Sequence, residues 1–237
     1  MSVVSCYHAA MRWHTGWVRE VHGDGSGHPA ALISCPPAAI PSAGRYVLAA
    51  DKDSILPFPL FTSQVVDDGF LCAPPIPGTW YPGISLSLRG PLGHGFSIPE
   101  GIQRLALAAF GDTTARLLPL IHTAIRRNIS VAVFAESTLS LLPSEVEVNL
   151  LGAVSEALSW ADFLIVDLPV DALPRLLAAL GVDHTDRIPC PGQALVIIPM
   201  PCGGVAECGV CALPAGKGWK LMCRDGPVVD LKELLKK

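Results

Sequence analysis

The chain changes rhythm once, near residue 100, and that change restricts the folds open to it. Before it come short apolar segments of strand length: "RWHTGWVREV", "PAALISC", "GRYVLAA", "PLFTSQVV" and "GISLSLRG". Turn-forming stretches such as "GDGSGHP" and "CPPAAIPSAG" separate them. Strands at this spacing, without helices between them, predict a small antiparallel barrel or sandwich. After "RGPLGHGFSIPEGI" strands and helices alternate. "QRLALAAFG", "ISVAVFAES", "DFLIVDLP" and "QALVIIPM" read as buried strands. "DTTARLLPLIHTAIRRN" reads as a helix with Asp112 at its N-cap and Arg126 and Arg127 in its last turn. "EVNLLGAVSEALSWA", "VDALPRLLAALG" and the closing "VVDLKELLKK" also read as helices. Parallel strands need crossovers rather than tight turns, so this alternation predicts a parallel sheet covered on both faces. The expected organisation is a β-barrel over residues 1–98, an α/β domain over 99–199 and a small segment over 200–237.

That last segment holds four of the eight cysteines, Cys202, Cys208, Cys211 and Cys223, spaced C-x5-C-x2-C-x11-C. Thiolate clusters need soft ligands converging on one point, and small residues between them let a loop wrap the metal. Gly203, Gly204, Ala206 and Gly209 supply that freedom. Plant-type [2Fe–2S] proteins use C-x4-C-x2-C with a distant fourth cysteine; the first gap here is one residue longer. The expectation is a [2Fe–2S] cluster, with Met200, Pro201, Leu213 and Trp219 shielding it and Asp225–Gly226 folding the loop back. Two other readings stay open: a four-cysteine structural zinc, which also uses C-x2-C pairs, and unmetallated thiols. Cys6, Cys35, Cys72 and Cys190 are scattered and read as small buried hydrophobes.

Composition narrows the function. Half the residues are hydrophobic, 16% are charged and the mean hydropathy is +0.44, which suits a generous core or a surface covered by a partner. No apolar run reaches the roughly 18–20 residues of a membrane span. The N-terminus has no secretory signature, so a cytoplasmic, reducing location is expected, where clustered cysteines hold metals rather than disulfides. A net charge of −4 and the lack of a basic stripe argue against nucleic acid. The seven histidines form no HExxH or regular pair, and His122 reads as a satisfied or surface residue.

Barrel, "GPLGHGF" (Gly90 to Phe96), α/β domain and "PCGGVAECGVC…CRDGPV" occur in the order found in a known family. The chain resembles the electron-transfer subunit of the NAD-linked, two-subunit dihydroorotate dehydrogenases, within the wider ferredoxin-reductase-like superfamily. The resemblance implies FAD against the barrel with Gly93 and Gly95 in its motif. It also implies NAD(H) at the α/β domain with Gly111 and Thr113 in the nucleotide turn, and a [2Fe–2S] cluster on the four cysteines. A catalytic oxidoreductase subunit with its own flavin would be the partner in a hetero-oligomer.

The chain departs from that pattern at both nucleotide motifs. The family places an Arg-x-x-Ser sequence after the strand that matches "AGRYVLAA"; here Leu56 stands for the Arg and Pro59 for the Ser. A diphosphate without its cation loses a contact worth about 1.5–3 kcal/mol. Lys52, Arg89 and His94 are candidate replacements. Phe58 and Phe61 are either flavin-stacking rings or core residues. In "AAFGDTTARLLPL", Gly111 and Pro119 preserve the outline of the glycine-rich turn, but Asp112 brings a carboxylate to the position that favours an anion. Thr113 and Thr114 keep hydrogen-bond donors there. Glu136 ends the next strand, where either a ribose-binding acid or a solvated loop acid can sit. The function expected is therefore an iron–sulfur electron-transfer component, itself not assigned a reaction, relaying electrons between NAD(H)/flavin chemistry and a partner, with degraded nucleotide sites. The alternatives are a working FAD-containing NADH-oxidising subunit and a structural zinc subunit.

Overall fold

The computed structural model describes residues 12–23, 27–136, 142–181 and 188–235. Cys6, His8, His184, Lys236 and Lys237, with part of the Ser/Thr-rich stretch after Glu136, lie outside the described residues.

Six strands close into an antiparallel barrel: β1 Trp13–Gly23, β2 Pro29–Ser34, β3 Tyr46–Ala50, β4 Phe58–Val66, β5 Gly69–Cys72 and β6 Ser85–Leu92. They are ordered β1-β2-β5-β4-β3-β6. Alternation along β6 shows why they form: Leu86 and Leu88 point into the barrel and Ser85 and Ser87 point out. Val18, Ile33, Val47, Leu60 and Phe70 complete that interior. β5 is the strand that the sequence reading lacks. With four residues it is too short to show a period, and only pairing to β2 and β4 defines it.

The second sheet comprises β7 Arg104–Ala109, β8 Ser130–Ala135, β9 Glu147–Leu150, β10 Phe163–Pro169, β11 Gly192–Ile197 and β14 Val228–Asp230, ordered β14-β11-β10-β7-β8-β9. Its first five strands in the chain run parallel, and β14 adds an antiparallel edge. Helix α1 (Leu118–Arg126) covers one face over Leu105, Leu107, Val131 and Ile165. Helices α2 (Val154–Trp160) and α3 (Leu173–Leu180) cover the other over Ala106, Ala132 and Leu164. Strand order reverses between β7 and β10, the topological switch point of such sheets.

Three expected helices change. Asp112 is not an N-cap: a 3-10 turn at Ala115–Leu117 precedes α1, and the Asp112 side chain is exposed. Glu147–Leu150 pairs with β8 instead of starting a helix, because its Val148 and Leu150 extend the ladder and Gly152 delays helix entry. Val228–Asp230 is a strand, so α5 begins only at Leu231 and runs to Leu235. That strand belongs to residues 200–237 yet completes the α/β sheet. Between them lie the hairpin β12 Ala212–Ala215 and β13 Gly218–Leu221, and one turn of helix, α4 Met222–Asp225. A single apolar cluster joins Tyr46 and Leu92 of the barrel, Cys211 and Cys223, and Val196 of the sheet.

Candidate functional site

The β12–β13 hairpin explains the long last gap in the cysteine spacing. Cys211 precedes β12, Cys223 follows β13, and Ala212 pairs with Leu221. Closing the hairpin therefore stacks the two cysteines. Cys223 N–H donates to Cys211 Sγ at 3.5 Å, and Met222 N–H to the Cys211 carbonyl at 3.1 Å. Cys211 and Cys223 are buried, Cys202 is partly exposed and Cys208 is exposed.

The loop from Cys202 to Cys208 curls back on the first sulfur. Burial opposes ionisation of Cys202, but N–H groups of Cys208 and Glu207, the Cys208 thiol and the Ala206 N–H all favour its thiolate. They outweigh burial and bring its pKa down to about 6. Consecutive amides aimed at one point make an anion-binding nest. Its geometry needs left-handed backbone: Ala206, a non-glycine, has φ 64°. Gly204 has φ +76°, and a Cβ there would lie 3.0 Å from the Tyr46 hydroxyl. Burial, a hydrogen bond with Cys211 and the charges of Cys211 and Cys202 push Cys223 up to about 12. Cys208 thus acts on the ionisation of Cys202, and Cys211 and Cys202 on that of Cys223. As the side chains stand, no group of three or more His, Cys, Asp or Glu among the described residues is arranged to hold a metal ion. Of the residues expected to shield a cluster, Met200 and Leu213 are buried in the same apolar cluster as Cys211 and Cys223, whereas Trp219 is 72% exposed.

"GPLGHGF" meets "CRDGPV" directly. His94 N–H donates to the Gly226 carbonyl at 2.6 Å, and His94 Nδ1 lies 3.1 Å from the Asp225 carbonyl. Gly93, at φ +71°, passes so close that a Cβ would fall 2.6 Å from Gly226 O. Gly95 is pressed against the Ala43 carbonyl. Asp225 folds the segment back by accepting from Leu221 N–H at 3.0 Å. From beneath, the buried Tyr46 hydroxyl donates to the Cys223 carbonyl at 2.9 Å. Burial raises the Tyr46 pKa; Cys223 adds to this, Arg89 opposes it, and Cys211 and Cys202 contribute further.

The switch point of the sheet is filled by the protein's own ions. Arg116 Nε donates to Asp167 Oδ2 at 2.8 Å and Oδ1 at 3.1 Å, and Nη1 donates to the Pro74 carbonyl of the barrel side at 2.8 Å. Both side chains are buried. Burial pushes the Asp167 carboxyl up, and Arg116 pulls it back. Gly111 sits beside this pair with room for a Cβ, which would come no nearer than 3.7 Å to Arg116 or Pro169. Thr113 Oγ1 accepts from Ala115 N–H at 3.1 Å, forming a turn. Asp112 Oδ2 lies 3.9 Å from His28 Nε2.

Two cavities flank the pair. One, of about 440 Å³, runs between barrel and sheet along Leu56–Pro59, Phe61, Ala73–Pro75, Arg116 and Ile197–Pro201. Its lining is apolar except for Arg116. The other, of about 350 Å³, lies beyond the ends of β7 and β8 and includes Phe110, Leu150 and Gly152. There Glu136 is bound by Arg175. A diphosphate would find no uncommitted cation along the larger cavity, and Glu136 is already engaged at the smaller one. The residues present do not fit FAD or NAD(H) as a whole dinucleotide. Arg116 and Asp167 are absent from the sequence reading, although one signal pointed to them: a lone acid inside the apolar strand "DFLIVDLP" must find a cation.

No protein-family model matches the chain, and no curated protein sequence does. Solved structures do. The NADH-dependent reduced ferredoxin–NADP oxidoreductase of flavin-based electron bifurcation matches with a TM-score of 0.72 at 16% identity, covering 92% of this chain and 89% of that one. The ferredoxin reductase in carbazole 1,9a-dioxygenase matches at 0.57 and 17%, covering 73% of this chain. This chain spans 66% of that reductase, just under two thirds. A ferredoxin–NADP+ reductase from Neisseria gonorrhoeae, with bound FAD and NADP, matches at 0.54 and 14%, covering 78% and 98%. At such identities the likeness is one of fold: a closed six-stranded barrel beside an α/β sheet, ferredoxin-reductase-like.

Proposed function

We propose that this chain is an electron-transfer component holding a [2Fe–2S] cluster on Cys202, Cys208, Cys211 and Cys223, and exchanging single electrons with a partner oxidoreductase. One observation carries the reading: the β12–β13 hairpin sets Cys223 against Cys211, with Cys223 N–H donating to Cys211 Sγ at 3.5 Å, and Cys202 packs against the same apolar cluster. A [2Fe–2S] cluster would be held by Cys211 with Cys223 on one side and Cys202 with Cys208 on the other. A single tetrahedral zinc needs all four sulfurs at one point. The bound cluster would supply one-electron redox chemistry; everything else is the work of the chain. The Ala206–Cys208 amides stabilise the Cys202 thiolate, and N–H groups on ligand sulfurs are a lever on potential. Tyr46 and His94 hold the Cys223 end by its backbone. Met200 and Leu213 exclude water on the inner side, while exposed Cys208 and Val210 leave the outer side open to a partner.

One solved structure of this fold has FAD and NADP bound, whereas the switch point of this chain is filled by Arg116 and Asp167; this supports an electron source on the partner rather than on this chain. No helix among the described residues is long and apolar enough to cross a membrane. Iron, acid-labile sulfide, zinc and flavin assays on anaerobically purified chain, with its visible spectrum, test the reading. Iron and sulfide in equal amounts, with broad absorption and little flavin, is the expected result. Zinc without sulfide overturns it.

A further inference from the structure

The cavity of about 440 Å³ between barrel and sheet is poor in hydrogen-bond donors. Six of its fourteen lining residues are proline, which has no backbone N–H. The others carry apolar side chains, apart from Arg116. Alternation along β4 explains one wall: Leu60 turns into the barrel core, so the buried Phe61 turns outward beneath the sheet. Nearby carbonyls are already engaged. Phe61 O accepts from Ala73 N–H at 2.7 Å, Met200 O from Gly203 N–H at 3.1 Å, and Pro74 O from Arg116 Nη1 at 2.8 Å.

Arg116 is the polar side chain of this lining, and it is only 7% exposed. Its Nε serves Asp167 and its Nη1 serves Pro74, but Nη2 has no acceptor among the described residues. Among the described residues, the fully buried side-chain atoms without a partner are His14 Nε2 and Arg89 Nε, so Nη2 keeps some open surface. The cavity is the space that Arg116 borders. A ligand seated there meets a free N–H but no net charge, because Asp167 already balances the guanidinium. An anion would leave water for an apolar space with no cation to spare. An uncharged group that only accepts satisfies Nη2 without that cost.

We propose that this cavity binds an uncharged, flat carbonyl compound of the quinone class, with its oxygen accepting from Arg116 Nη2 and its ring against Phe61 and the prolines. A quinone carries acceptors and no donor, which matches a site whose free polar group is a donor. Its ring faces match walls made of phenylalanine and proline, and the volume lies in the range of small-molecule sites. A dinucleotide does not match, since a diphosphate needs the donors that the prolines lack and the cation that Asp167 has taken. Binding of this kind needs no metal and is independent of what the cysteines hold.

The test is equilibrium dialysis of the full chain, as purified, against 2,3-dimethyl-1,4-naphthoquinone, whose ring is blocked against attack by thiols. The comparison ligands are 2,3-dimethylnaphthalene, which has the same shape without carbonyls, and FAD. The parent should bind the quinone one-to-one and about tenfold more tightly than the naphthalene, although the naphthalene is the more apolar. Pro199→Trp, at the exposed rim of the cavity, should weaken quinone binding by about tenfold or more. Arg116→Lys, whose ammonium can serve Asp167 but not the cavity as well, should lose most of the preference for the quinone. No saturable quinone binding, equal affinities for quinone and naphthalene, or a Pro199→Trp chain that binds as the parent does overturns the inference. So does an Arg116→Lys chain that keeps the parent's preference. FAD displacing the quinone assigns the cavity to a dinucleotide and also overturns it. If Arg116→Lys melts below the assay temperature, the parent's quinone-to-naphthalene ratio decides the same point.

Discussion

Two turns of this chain follow strands of one sheet and treat charge in opposite ways. After β7, at the switch point, the Gly111–Thr114 turn leads into a buried Arg116 that closes on Asp167 and on the barrel's Pro74 carbonyl. After β11, the Cys202–Cys208 turn aims free amides at a sulfur and leaves Cys208 in solvent. The first turn consumes its own charge internally; the second favours a thiolate at Cys202. Sheets of this kind commonly take ligands at the switch point; here that position is filled by Arg116 and Asp167.

The sealed side breaks hardest. Arg116→Met leaves Asp167 buried without a cation, and chemical denaturation should register a loss of about 3–5 kcal/mol. The carboxyl is already raised by burial. The variant should therefore be least unstable in acid, where the group is protonated, and lose stability as pH rises through the folded pKa. A loss under 1 kcal/mol, flat in pH, contradicts a buried ionic lock.

The open side responds next. Gly204→Ala places a side chain at φ +76° and 3.0 Å from the Tyr46 hydroxyl, costing about 1–2 kcal/mol from the backbone alone and lowering iron content measured on the purified chain. Tyr46→Phe removes the hydroxyl that holds the Cys223 carbonyl. A decrease of about 1 kcal/mol in unfolding free energy is expected, and, on the proposed function, faster release of iron to chelator.

Smaller again is the acid response of the loop's return. Arg224 holds the Asp225 carboxyl below its ordinary 3.8 despite partial burial, and the Leu221 N–H helps. A carboxyl depressed in the folded chain adds stability above that value and loses it as pH falls through and below it. Asp225→Asn should flatten the acid limb of a thermal-melting profile by under about 1 kcal/mol, and leave the neutral limb shifted by that same amount. Gly111→Ala should do least, within about 0.5 kcal/mol, because its Cβ has space. If that substitution instead abolished binding of added NADH in a fluorescence titration, the switch point would be open after all and the contrast would fail.

Legibility followed the range of the interactions involved. The alternation of Leu86 and Leu88 with Ser85 and Ser87 announced a barrel strand within a few residues, and the βα rhythm after residue 100 announced the parallel sheet. The cysteine spacing pointed to a loop that brings thiols together, and the hairpin does bring Cys211 beside Cys223. β5 and β9 were invisible or misread because each is four residues long and exists through its neighbours' ladders. Trp219 was misplaced because apolar character does not say which face of a hairpin meets solvent.

By itself, then, the sequence determined periodicity, turn chemistry and the supply of thiols, since these depend on residue type and local spacing. Only the tertiary structure decided that Arg116 would spend its charge on Asp167 and that His94 would clasp Gly226. Those outcomes depend on which long-range partner each polar group reaches once it leaves water. No local pattern of residues encodes a contact made across 51 or 132 positions.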